Sequence, residues 1–248
     1  MITLKNICVT YGKTPVLNNL SATIQEGDFI TIIGANGAGK STFFDVIAGN
    51  TKPLSGQLIV DDTDITNLDE KKRAAFIARL CQNPWVNVVP SMTVAENLAL
   101  ATFKGKSLSF KSAIKQLPLA TIERVLKPMN ENIHQLLDKQ MKSLSGGQRQ
   151  MIALVMATLT PPKILLLDEP TAALDPQSAT KLLVFAAKYI KEHKITTLLI
   201  THDPHIATQM GNKLWVLEDG VIKKEFGPEK RMLSTEHLIG EIDYAALI

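Results

Sequence analysis

Phe29-Ile30-Thr31-Ile32-Ile33-Gly34-Ala35-Asn36-Gly37-Ala38-Gly39-Lys40-Ser41 is the stretch that decides the fold. Its first five residues form an apolar run of strand length. Its last eight fit G-x-x-x-x-G-K-[ST] without departure. Ser41 to Ala48 then reads as a helix, with Gly49 placed to stop it. Strand, glycine loop and helix form the context in which this motif holds phosphate. Glycines let the backbone wrap an anion closely, and amide N–H groups at the helix start point at it. Lys40 is expected to reach the β- and γ-phosphates, and the Ser41 hydroxyl to ligate Mg²⁺. A structural glycine turn is the bland alternative, and the flanking strand and helix argue against it.

Outward from the loop, Ile2 to Val9 alternates apolar with polar residues, and Val16 to Ile24 is a second strand candidate. Gln57 to Val60 is a strand that turns at Asp61-Asp62. Further on, Ile164 to Leu167 and Ile195 to Ile200 read as buried strands around an amphipathic helix, Ser178 to Glu192. Asp219-Gly220, between Lys213–Glu218 and Val221–Glu225, is a hairpin signal, because both turn residues must take positive φ. Such β/α alternation predicts an α/β fold with a mostly parallel sheet and helices on both faces. From Asn83 the texture becomes helical, over Val94–Thr102, Ser112–Leu117, Thr121–Leu126 and Asn132–Leu137, with breaks at Pro118 and Pro128. Residues 83 to about 145 are expected as a helical lobe inserted into one domain spanning 1–248. Its core lobe is about 1–82 and 146–248.

Composition narrows the function. The 248 residues are 45% hydrophobic and 21% charged, an ordinary globular mixture. Net charge is +3 with no long basic run, so nucleic-acid binding by bulk electrostatics is not suggested. Cys8 and Cys81 make no disulfide framework and fit a reducing compartment. No apolar run approaches the roughly 20 residues needed to span a bilayer, and Met1 to Lys5 lacks a signal-peptide layout. The expected location is cytoplasmic, with any membrane role supplied by a partner.

Asp168 and Glu169 end the apolar run Ile164-Leu165-Leu166-Leu167. Phosphoryl transfer needs metal neutralisation and an oriented water, so Asp168 is expected to hold Mg²⁺ and Glu169 to polarise the nucleophile. The alternative is helix capping or a solvated loop, since Asp-Glu-Pro also suits a helix start.

Leu144-Ser145-Gly146-Gly147-Gln148 resembles the consensus pentapeptide of the ABC-type ATPases, and the resemblance extends over nearly the whole chain. It implies the ABC ATPase fold: a P-loop NTPase core, an N-terminal antiparallel β subdomain and an inserted helical lobe. It further implies that Ser145, Gly146, Gly147 and Gln148 serve the γ-phosphate of an ATP held by a second copy. Gln82 matches the family's glutamine loop, which contacts Mg²⁺ and the attacking water. His202, after Leu198-Leu199-Ile200-Thr201, matches the histidine switch. Tyr11 resembles the aromatic that stacks on adenine, with a core tyrosine as the alternative, and Val16 is expected to line the same pocket. Thr42 is implied to contact the α-phosphate. Ala172-Ala173-Leu174-Asp175 resembles the loop that crosses the dimer interface, with Ala172 where the family often has serine. The ATP contacts expected are thus Tyr11, Val16, Gly34, Asn36, Gly37, Ala38, Gly39, Lys40, Ser41, Thr42 and the pentapeptide.

The resemblance implies a dimer that closes head to tail on ATP and Mg²⁺, an integral membrane permease and a solute-binding protein. Asn83-Pro84-Trp85-Val86-Asn87-Val88-Val89-Pro90 is apolar for a loop and borders the family's permease groove; local packing is the alternative. Import is the expected direction. Thr158 to Lys163, with Thr171 to Asp175, resembles a group paired with branched-chain-amino-acid-type permeases, some members of which handle aromatic amino acids. A soluble ATPase acting on nucleic acid, the ribosome or a protein assembly is the alternative.

Overall fold

The computed structural model describes residues 1–102, 114–115, 117–126, 133–234, 238 and 240. Half of the helix expected over Ser112–Leu117 lies outside the described residues, as do Pro128 and Asn132. Two compact units are present: 1–77, 163–169 and 194–248 make the first, 78–162 and 170–193 the second.

The first unit begins with β1 (Ile2–Tyr11), β2 (Thr14–Ile24), β3 (Phe29–Ile33), α1 (Lys40–Ala48), β4 (Ser55–Val60), β5 (Thr63–Asp64) and α2 (Glu70–Arg73). β6 (Ile77–Leu80) straddles the division. The second unit carries α3 (Val94–Thr102), α4 (Leu119–Leu126), α5 (Ile133–Leu137), α6 (Gly146–Thr158) and α7 (Pro176–His193). The first unit also holds β7 (Ile164–Asp168), β8 (Thr196–Ile200), α8 (Pro204–Gln209), β9 (Lys213–Glu218) and β10 (Val221–Phe226).

Four strands, in the order β2-β1-β4-β5, form an antiparallel sheet. The larger sheet runs β10-β9-β3-β8-β7 within the first unit. β9 and β8 flank β3 in parallel, and β7 pairs parallel with β8. Every residue of β3, β7 and β8 is buried, which is why these segments read as continuous apolar runs rather than alternating ones. Phe43 of α1 meets Trp215 of β9 edge to face at 6.4 Å inside this core. β10 runs antiparallel to β9, joined to it through Asp219 (φ 50°) and Gly220 (φ 73°), as the turn chemistry predicts.

Parallel strands put their carboxyl ends on one edge, where open α/β sheets bind ligands. β3 runs into Gly34, β7 ends at Asp168, and β8 between them leads to Thr201 and His202.

The second unit is larger than the helical lobe expected over 83–145. It takes in residues 78–82, α6 and α7. The reason is packing: α6 lies against both α3 and α7. Tyr189 of α7 donates its hydroxyl to the Thr158 carbonyl at the end of α6, at 2.5 Å. A Cβ on Gly147 would stand 2.6 Å from the Ser178 hydroxyl oxygen, so only glycine lets these helices approach.

Candidate functional site

The glycine loop begins where β3 runs out of paired backbone. Gly34 is pressed against β9, where a Cβ would fall 2.1 Å from the Leu217 carbonyl oxygen. Gly37 is different: φ is +83° and nothing lies within 4 Å of an added Cβ. There the requirement is conformational, and the exposed backbone of Asn36 and Gly37 faces open space. Gly39 has φ 98° and precedes α1 as its N-cap without a side-chain cap, leaving the first amides of α1 for another acceptor. Ala38 and Thr42 are buried, while Ser41 is exposed.

Lys40 is folded back onto its own loop. Its Nζ donates to the carbonyls of Gly34 at 2.7 Å and Ala35 at 2.8 Å. Burial pushes its ammonium below the ordinary lysine value, and the carboxylates of Glu169 and Asp168 pull it back up. The cation and both acids therefore act on one another at the sheet edge.

Asp168 closes β7 opposite Ile200 and is buried. Glu169 has φ 47°, a left-handed backbone for a residue with a side chain, and its N–H donates to the Ile200 carbonyl at 3.0 Å. Such a conformation costs roughly 1–3 kcal/mol and recurs where function fixes a side chain. Here it aims the carboxylate at His202, whose Nε2 contacts Glu169 Oε2. The other ring nitrogen, Nδ1, is buried without a hydrogen-bond partner. Thr201 continues the sheet by donating its N–H to the Ile32 carbonyl at 3.1 Å, and its hydroxyl accepts from Asp203 N–H at 3.0 Å. The capping alternative for Asp168-Glu169 does not hold. The next helix, α7, starts at Pro176, and Asp175 accepts from Ser178 N–H at its start, at 2.9 Å.

Tyr11 ends β1 with 53% of its surface exposed, which rules out the core-tyrosine alternative. Its hydroxyl lies 3.4 Å from Thr51 Oγ1. Val16 on β2 is half-buried, and its carbonyl oxygen is 2.8 Å from where a Cβ of Gly39 would stand. β2 therefore lies directly against the glycine loop.

Gln82 and the pentapeptide belong to the second unit. Gln82 is exposed just past β6. Ser145 caps α6: its Oγ accepts from Gln148 N–H at 3.2 Å, and Gln148 Oε1 accepts from Ser145 N–H at 3.1 Å. This is a capping box, so the Gln148 side chain serves the helix start. The Ser145 hydroxyl still has its own hydrogen to donate. Sequence reading missed Arg149, whose guanidinium lies 3.5 Å above the Trp85 ring and donates to the Leu144 carbonyl at 2.8 Å. The available signal was its place directly after the pentapeptide. Asn18, two residues beyond Val16, was missed as well.

Residues 17–172 match the family described as ABC transporter. The tyrosine transport ATP-binding protein of Clostridioides difficile (strain R20291) is 40% identical over 251 residues, 99% of this chain and 100% of that protein. A macrolide export ATP-binding/permease protein of Campylobacter jejuni subsp. jejuni serotype O:2 is 34% identical over 95% of this chain, which spans 36% of that protein. Among solved structures, the dimeric bacterial ABC transporter cassette MJ0796 aligns with a TM-score of 0.77 at 31% identity, over 92% of this chain and 99% of that one. The same cassette in a post-hydrolysis state, bound to ADP and Pi, aligns equally well, with a TM-score of 0.77 and 30% identity over the same shares. With a family match over most of its length and a relative alike from end to end, this chain belongs to the ABC transporter family, as one of its ATP-hydrolysing cassettes.

Proposed function

We propose that this cassette powers solute import, two copies closing head to tail on ATP and reopening on hydrolysis. The observation that carries the reading is the Glu169–His202 contact, one residue beyond Asp168 and within electrostatic reach of Lys40. It gathers a carboxylate, its orienting imidazole and a phosphate-binding cation at one strand edge, yet supplies no wall over the far side of the phosphates. The pentapeptide of a second copy is that wall, through Ser145 and the amides of Gly146 and Gly147.

Each side chain then has a role. The amides from Gly34 to Thr42 cradle the phosphates, and Lys40 turns from its loop carbonyls to the β- and γ-oxygens. Glu169 holds the attacking water, and His202 fixes Glu169 and reaches the γ-phosphate. Tyr11 and Val16 receive the base, and the role of Gln82 rests on its match to the family's glutamine loop. Ser41 and Asp168 offer the hard oxygen donors that Mg²⁺ prefers. Mg²⁺ is commonly held by one or two protein oxygens together with phosphate and water. Bound there, Mg²⁺ supplies charge neutralisation at the phosphates.

Transport of an amino acid, with tyrosine first among the substrates to test, is supported by the 40% identical relative, a free-standing ATP-binding protein named for tyrosine. The complete system then includes a permease that holds the cassette at the cytoplasmic face of the membrane, and a solute-binding protein. Export is the second reading, favoured by the macrolide export relative. Uptake of labelled tyrosine by cells lacking the gene separates them: reduced uptake supports import, and unchanged uptake with reduced efflux supports export. The dimer has its own test. Glu169→Gln retains ATP binding, loses hydrolysis by about a hundredfold or more, and elutes as a dimer with ATP and Mg²⁺. A monomer under those conditions overturns it.

A further inference from the structure

No step proposed for hydrolysis uses the Asp219-Gly220 hairpin tip, yet it is bonded to the phosphate loop. Gly220 N–H donates to the Ala38 carbonyl at 3.1 Å, and the Gly220 carbonyl accepts from Asn18 N–H at 3.1 Å. The Asn18 side chain adds a third bond, Nδ2 donating to the Asp219 carbonyl at 2.7 Å. One residue of the hairpin thus links β2 on one side to the loop on the other. The junction is tight. A Cβ on Gly220 would lie 2.2 Å from the Val16 carbonyl oxygen, and one on Gly39 would lie 2.8 Å from the same atom. Gly220 Cα itself stands 3.6 Å from that Gly39 position. Val16 and Asn18 are two apart on β2, in the stretch where its register against β1 shifts.

We infer that Asn18 is a positioning residue for nucleotide binding: with Gly220 it sets the spacing between the phosphate loop and the strand that carries Val16. The inference rests on the assignment of Val16 and Tyr11 to the base pocket. A ligand that touches both elements at once gains from having their spacing fixed in advance, because it need not bear that ordering on binding. A ligand held by the loop alone gains nothing. Loss of the Asn18 bond must therefore weaken ATP and spare a triphosphate without a base.

The test uses the full chain, titrated calorimetrically with ATP and with inorganic triphosphate. Asn18 is exposed, so its substitution leaves the core intact. Asn18→Ala removes the side-chain donor. Asn18→Asp keeps the shape and turns an acceptor toward the Asp219 carbonyl. One lost hydrogen bond corresponds to about a fivefold change in Kd. The expected result is an ATP Kd raised about fivefold in the alanine variant and further in the aspartate variant, with the triphosphate Kd unchanged in both. Unchanged ATP affinity in both variants overturns the inference. So does equal weakening of ATP and triphosphate, which would make Asn18 a general support of the loop. If the unsubstituted chain binds ATP no tighter than triphosphate, the base-pocket assignment fails and the inference falls with it. If that chain shows the gain and both variants keep it, only the inference falls.

Discussion

Arg73 lies at the end of α2 with its guanidinium buried to 1% exposure. Its Nε donates to the Leu68 carbonyl, Nη1 to Val46 and Ile47, and Nη2 to Ile65 and Thr66, at 2.5 to 3.0 Å. Val46 and Ile47 sit in the last turn of α1, where helix carbonyls lack intrahelical donors and the dipole favours a cation. α1 is the helix that opens at Lys40, so this cation anchors the far end of the element that presents the phosphate loop. Burial pushes the guanidinium below its ordinary value, and only an always-charged fork can meet carbonyls in so many directions. Arg73→Met strips those carbonyls of their donor and costs about 3–5 kcal/mol. For a chain of this size that lowers Tm by about 10 °C. Arg73→Lys fails nearly as badly, because one ammonium cannot span five acceptors. Calorimetry decides it: a drop of under about 3 °C for Arg73→Met would show that water replaces the guanidinium. Nothing in Glu70-Lys71-Lys72-Arg73 marks the arginine out from the lysines before it. Which charge goes inward depends on the face that meets α1, and that is a tertiary fact.

Elements are tied together by surface charge as well as by core. Asp61, beyond the end of β4, accepts from Lys163 Nζ at 2.7 Å and from the Met1 ammonium at 2.8 Å. The Lys163 bond, then the terminal ammonium, holds its carboxyl at about 2, below the ordinary 3.8. A depressed carboxylate contributes stability that is present above its unfolded value and lost as pH falls through its folded one. The window here runs from about 4 down to about 2. The groups are 46% to 64% exposed, so solvent screens the pair and its worth stays below about 1 kcal/mol. An NMR titration of the Asp61 carboxyl at low salt is expected to show a midpoint near 2, climbing toward 3.8 as salt shortens the Debye length. A low-salt midpoint already at 3.8 refutes the pairing. This contact also shows where sequence legibility stops. The glycine loop and the Asp219-Gly220 turn were readable, because each is set by residues within about eight positions of one another. β3, β7 and β8 were readable because burial on both faces leaves mostly apolar runs without alternation. The Asn18 bond to Asp219 spans 201 positions, and that of buried Lys230 to Thr31 spans 199. Neither leaves any local periodicity. The extent of the second unit is illegible for the same reason: α6 and α7 carry no local sign of which unit they join.

At the scale of the whole molecule, the proposed transport role needs a surface that meets a permease, and the loop around Trp85 is a candidate among the described residues. Asn83 and Asn87 organise its loop. Asn83 Oδ1 accepts from Trp85 N–H at 3.1 Å, Asn87 Oδ1 accepts from Cys81 N–H at 2.9 Å, and Asn87 Nδ2 donates to the Arg79 carbonyl at 2.9 Å. With the backbone satisfied, Trp85, Val86 and Val89 remain 39%, 70% and 36% exposed. Local packing consumes Val88, at 7% exposure, but not its neighbours. An ordered loop that leaves tryptophan and valine in water is suited to an apolar partner. Arg149 stacks on Trp85 and donates to the Leu144 carbonyl. Trp85→Asp therefore has two expected consequences in cells that also make the permease. The cassette leaves the membrane fraction, since a carboxylate cannot be buried against an apolar partner without several kcal/mol of desolvation. ATP affinity of the purified chain stays within about twofold of the unsubstituted protein, because Trp85 belongs to no part of the nucleotide site. Sedimentation of membranes, probed for the cassette, reads the first, and calorimetry with ATP reads the second. A variant that stays on membranes transfers the docking role to another surface. One that also loses ATP affinity would show Trp85 supporting the fold of the second unit rather than receiving the permease.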